Sequence, residues 1–127
     1  MISDEKCVEY PKTIIVDFDG TICGFAFPDT GSPEPGVKEA LDKLHNNGFK
    51  IIVHSVRTST NWGMLAAIKH EQIIFKYMKE HDLYFDEILS NGVYNKPIAA
   101  AYIDDRGVPY RGNWEETVKD ALKIASK

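Results

Sequence analysis

Residues 13–21 read TIIVDFDGT. Thr13, Ile14, Ile15 and Val16 are strand-forming residues without polar alternation, the pattern of a strand buried on both faces of a parallel sheet. The run ends on two aspartates one residue apart, Asp17 and Asp19, and then on Gly20. Two carboxylates aimed at one small region repel each other, so a bound cation or a chemical task must offset the cost of placing them there.

Outward from this strand, the chain alternates between two periods. Residues 20–35, GTICGFAFPDTGSPEP, hold the Gly, Pro, Asp and Ser of an irregular loop with a small hairpin in it. A helix is predicted from Gly36 to Asn46, with Val37, Leu41 and Leu44 on one face and Asn47-Gly48 as its stop. FKIIVHS, residues 49–55, reads as a second strand. Residues 60–81 carry Leu65, Ile68, Phe75 and Met78 at helical spacing, as one long helix or as two joined near Glu71-Gln72. FDEILSN (85–91) is a short third strand and AAAYIDD (99–105) a fourth; Val108 to Tyr110 adds a brief edge strand. The closing helix begins after Asn113, a side chain suited to capping. Strands alternating with helices define an α/β class, expected as a three-layer α/β/α Rossmann-like domain with a mainly parallel central sheet.

The bulk properties narrow the function. A chain of 127 residues is expected to form one domain, 1–127, with residues 1–11 as a lead-in, and to bury a core without staples. A net charge of -4 argues against a broad electrostatic grip on nucleic acid. Cys7 and Cys23 belong to no CxxC or Cys/His cluster and read as free thiols in a reducing compartment. The charged N-terminus lacks an apolar run of signal length, and no stretch approaches the roughly 20 apolar residues of a membrane span, so a cytoplasmic location is expected.

The polar residues then fall at strand ends. Asp17 and Asp19 close the first strand, Ser55 the second, Lys96 follows the third, and Asp104 with Asp105 ends the fourth. In a parallel sheet the C-terminal ends of the strands share one edge, where ligands bind. Clustered carboxylates suit Mg²⁺, which takes one or two protein carboxylates and fills its remaining positions with water and phosphate oxygens. An aspartate held in that way can attack phosphorus. The charge spread over a transferred phosphoryl group calls for an ammonium such as Lys96, a hydroxyl such as Ser55 and loop N–H groups, with Gly20 permitting close backbone approach.

These residues resemble the haloacid dehalogenase (HAD) superfamily of phosphotransferases and phosphatases. DFDGT matches its first motif, Ser55 in IIVHSVR its second, Lys96 in NKP its third and YIDDR its fourth, from about Thr13 to Arg106. The resemblance implies a Mg²⁺-dependent phosphomonoester hydrolase with Asp17 as nucleophile and metal ligand. It makes Asp19 the general acid and base, its carbonyl a further metal ligand. Ser55 and Lys96 would bind phosphoryl oxygens; Asp104 would hold Mg²⁺, with Asp105 a ligand through water or a support. Lys96 precedes Asp104 by only eight positions, shorter than in many relatives, which makes it the weakest of these assignments.

Between Thr21 and Ser55, and again between Ser55 and Lys96, no room remains for an inserted cap. A capless site serves a small or macromolecular phosphate end, or is roofed by a second copy of the chain. Phe25 and Phe27 stand near its entrance as candidate stacking contacts, and Arg57 is a candidate substrate contact, with His54 a weaker one. Arg106 is expected in a structural ion pair; Trp62 and Trp114 are expected to pack. Two other readings use the same residues: a receiver-like module, disfavoured by the order of its acidic residues, and a noncatalytic phosphate-binding domain.

Overall fold

A computed structural model of the protein describes residues 10–89 and 98–126. Four strands, β1 (Thr13–Asp17), β2 (Lys50–His54), β3 (Glu87–Ile88) and β4 (Ala101–Ile103), form one parallel sheet in the order β3-β2-β1-β4. Three helices accompany them: α1 (Val37–Asn46), α2 (Met64–Glu80) and α3 (Trp114–Ala125). The molecule is a small Rossmann-like α/β fold without a cap. Only a loop separates β1 from α1, and only two short 3-10 turns, Val56–Thr58 and Thr60–Trp62, separate β2 from α2. Among the described residues no helix is long and apolar enough to cross a membrane.

β1 is central, and its sequence explains why. Ile14, Ile15 and Val16 are all buried, so both faces of the strand need cover. The chain steps from β1 to β2 to β3 in one direction, and right-handed crossovers then place α1 and α2 on the same face. The core agrees: Ile14, Val16, Ile51 and Val53 cluster with Leu41 of α1 and with Ile74, Tyr77 and Met78 of α2.

One open alternative is settled and two expectations change. Glu71-Gln72 does not interrupt α2, since both residues are good helix formers and lie within one continuous helix. Its buried stripe is Ala67, Ile74, Tyr77 and Met78, whereas Leu65, Ile68 and Phe75 are exposed. Met78 alone of the expected stripe is buried. Val108 to Tyr110 forms no strand; Pro109 lacks the N–H that a ladder requires. The loop after β1 does contain the small pairing, with Gly24 N–H donating to Ser32 O at 2.9 Å and Glu34 N–H to Ile22 O at 2.9 Å.

Candidate active site

Register brings the acidic residues together. Asp17 stands opposite His54 across β1 and β2, and Val16 opposite Ile103 across β1 and β4. One step beyond that last pair, Asp104 and Asp105 leave β4 beside Asp17. The consequence is electrostatic: the Asp17 carboxyl is raised from 3.8 to about 7, by burial first and then by the charges of Asp105 and Asp104. The Phe18 N–H acts in the opposite direction.

The turn after β1 is wound about one carbonyl. The N–H groups of Thr21, Ile22 and Cys23 all donate to Phe18 O, at 3.3, 3.0 and 3.3 Å. Gly20 sits in this turn at φ +84°, and a Cβ there would lie 2.5 Å from Asp105 Oδ2. The missing side chain is the space in which Asp105 approaches the loop. Asp104 is fixed separately: its Oδ1 accepts from Arg106 N–H at 3.0 Å and from Gly107 N–H. Thr21 Oγ1 is buried without a hydrogen-bond partner among the described residues, an orphaned hydroxyl beside the carboxylates.

Directly after β2, Ser55 is buried and its Oγ accepts from Arg57 N–H at 3.0 Å. That bond uses an acceptor site and leaves the hydroxyl proton to be donated. The turn is anchored by Thr58, whose Oγ1 lies 3.0 Å from Ser55 O and 2.9 Å from Leu89 O, tying the end of β2 to the chain leaving β3. Lys96 lies outside the described residues, as do Cys7 and the start of the lead-in.

Arg57 is where sequence reasoning and structure part most clearly. Expected at the substrate, it is 0% exposed and forks onto Asp19, which is 10% exposed. Nε donates to Asp19 Oδ2 at 2.7 Å and Nη2 to Oδ1 at 2.7 Å. The remaining N–H groups reach the loop: Nη1 donates to Pro28 O at 2.8 Å, and Nη2 also to Asp29 O. This bidentate pair fixes the orientation of Asp19 and ties it to the 24–34 loop. The guanidinium also lies 4.8 Å from the Phe27 ring centroid and 5.8 Å from that of Phe18.

Phe25 and Phe27 are exposed, as rim residues would be. Trp62, expected to pack, is instead 56% exposed; its ring centroid lies 6.1 Å from that of Phe27. Trp114 is exposed too, near Tyr110. Arg106 offers its backbone N–H to Asp104 but forms no ion pair among the described residues, because no acid faces its side chain there. A cavity of about 240 Å³ lies elsewhere, lined by Lys38, Asp42, Met78, Leu83 and Tyr84, and none of the strand-end residues borders it.

The donor set fits a hard divalent cation. All its side-chain donors are oxygens, burial and then their mutual repulsion raise Asp17 to about 7, and a cation would relieve the repulsion. Among the described residues no three acidic, His or Cys side chains already form a closed cage. A Mg²⁺ ion bound through one or two carboxylates and water does not require one.

No protein-family model matches the chain, and no curated protein does. Two solved structures are similar to it. A conserved protein from Bacteroides thetaiotaomicron has 26% identity and a TM-score of 0.59, with 91% of each chain covered. An MCSG target from Vibrio cholerae has 27% identity and a TM-score of 0.54, covering 88% of this chain and 98% of its own.

Proposed function

We propose that this chain is a Mg²⁺-dependent phosphomonoester hydrolase of the HAD type, working through a phosphoryl-enzyme intermediate on Asp17. The observation that carries the reading is the convergence of Asp17, Asp104 and Asp105 at adjacent parallel strand ends, where burial first and then the charges of Asp105 and Asp104 raise Asp17 to about 7. Such repulsion is tolerated where it serves a ligand or a reaction.

Asp17, Asp104 and Asp105, with the Asp19 carbonyl, would hold the metal; when bound it neutralises the carboxylates and the charge of the phosphoryl oxygens. An Asp17 oxygen attacks phosphorus in line while the ester P–O bond breaks, and Asp19 gives its proton to the departing oxygen. Asp19 then takes a proton from water, which attacks the phosphorus; the bond to Asp17 breaks and inorganic phosphate leaves. The Arg57 pair holds the Asp19 carboxyl in place and leaves one acceptor site open on each of its oxygens. Ser55 donates its hydroxyl to a phosphoryl oxygen, the Thr21 hydroxyl is a further donor, and Lys96 supplies an ammonium. The capless site admits small esters and the phosphate ends of larger molecules.

The test is phosphate release from a broad phosphomonoester panel, with Mg²⁺ or EDTA, by wild type and Asp17→Asn. Release that needs Mg²⁺ and falls by at least roughly 10³-fold in the variant supports the mechanism. Near-native turnover by Asp17→Asn, or release unaffected by EDTA, removes it.

A further inference from the structure

The apolar side chains around this site are more than an uncovered edge of the core. Phe25 is 71% exposed, Val56 65% and Trp62 56%, and Phe27 joins them. Val56, Trp62 and Phe27 are tied to residues of the phosphate site. Val56 directly follows Ser55, and its carbonyl accepts from Trp62 Nε1 at 2.9 Å, which fixes the indole edge and satisfies its one donor. Phe27 lies on the guanidinium that grips Asp19, with the Arg57 Cζ 4.8 Å from its centroid, and stacks on His70 at 5.9 Å.

The indole has therefore no hydrogen-bonding capacity left, only ring surface. Phe27 and Trp62 are 6.1 Å apart at an interplanar angle of 37°, already in mutual contact. A third ring between them would need about twice the usual stacking separation, so the pair forms a shelf rather than a slot. An acidic chain that uses its carboxylates for a metal has little charge to spare for an ionic grip on the leaving group, and exposed rings beside a polar site are a means of gripping it without charge.

We infer that Trp62 and Phe27 form a stacking shelf for the leaving group, and that the substrate is a phosphomonoester carrying a planar aromatic ring, as a nucleoside monophosphate does. This rests on the phosphatase reading for the chemistry, while the shelf itself requires only the ring. Trp62 is then a specificity determinant absent from the strand-end motifs.

Ribose 5-phosphate and the nucleoside 5'-monophosphates isolate the effect, since they share the phosphate-bearing carbon and differ by the base. The wild type is expected to favour the nucleotides in kcat/KM by roughly five- to a hundredfold, the range for one stacked base. Trp62→Ala collapses that ratio towards one and Trp62→Phe restores part of it. A wild-type ratio near one, or one indifferent to Trp62→Ala, overturns the shelf and leaves the phosphatase reading intact. A binding measurement separates the two failures. With Trp114→Phe, Trp62 is the only indole of the chain's 2, and nucleosides without phosphate should quench its fluorescence where ribose does not. Quenching without hydrolysis of any ester supports the shelf and refutes the chemistry; an absence of quenching refutes the shelf.

Discussion

Arg57 and Asp19 form a charge pair almost removed from water, and its energetics lie in what a single substitution leaves behind. Arg57→Met strands a buried carboxylate, and Asp19→Asn strands a guanidinium held otherwise by carbonyls; each is expected to cost about 3–5 kcal/mol in urea unfolding. The double variant should lose clearly less than the sum, because neither charge remains. Additive losses would mean that the two groups act independently. Gly20→Ala tests the neighbouring constraint: at φ +84° an added Cβ costs about 1–2 kcal/mol and pushes Asp105 from the loop. Weaker Mg²⁺ binding by calorimetry is the expected companion; unchanged binding would separate Asp105 from the metal. That a glycine is needed after the second carboxylate was legible in DFDGT, though as room for a phosphate and not for the Asp105 side chain that lies there. The role of Arg57 was not legible, since its partner lies 38 positions away and a side chain two residues past a strand-end serine can point either way.

The elements were legible where one physical pattern had a single interpretation. β1 and β2 are continuous apolar runs, and Asn113 caps α3 by accepting from Glu116 N–H at 3.2 Å. α2 had apolar residues on more than one side, and only packing against Val53 and its neighbours selected Ala67, Ile74, Tyr77 and Met78. The 3-10 turn between β2 and α2 carries the element-scale prediction. Thr58→Val keeps the shape but removes the hydroxyl between Ser55 O and Leu89 O, and should cost about 1 kcal/mol by removing the tie to Leu89 O, while Ser55 O still accepts from Thr58 N–H at 3.3 Å. If Ser55 depends on this anchor, KM for phosphate esters rises while Asp17 chemistry persists. A variant of native stability and native KM would show the anchor to be dispensable.

Across the whole molecule, the acidic edge makes folding depend on pH, and the proposed metal binding would share that dependence. Asp17 is raised from 3.8 to about 7 in the metal-free fold, so native protein holds its proton more tightly than the unfolded chain does. The stabilisation this gives is complete below 3.8 and is lost as pH rises to about 7. Melting temperature in EDTA should therefore fall across that window, the fall should vanish in Asp17→Asn, and Mg²⁺ should restore the wild type most at its upper end. Parallel melting curves for both proteins would deny the coupling. By itself the sequence determined the strand-helix alternation, the absence of a cap and the presence of acids at strand ends, because hydrophobic period and chain length are local properties. The tertiary structure decided which of these groups meet: Asp104 and Asp105 beside Asp17, Arg57 on Asp19, and Trp62 against Phe27. Those encounters depend on strand order and crossovers, which bring together residues that no local spacing relates.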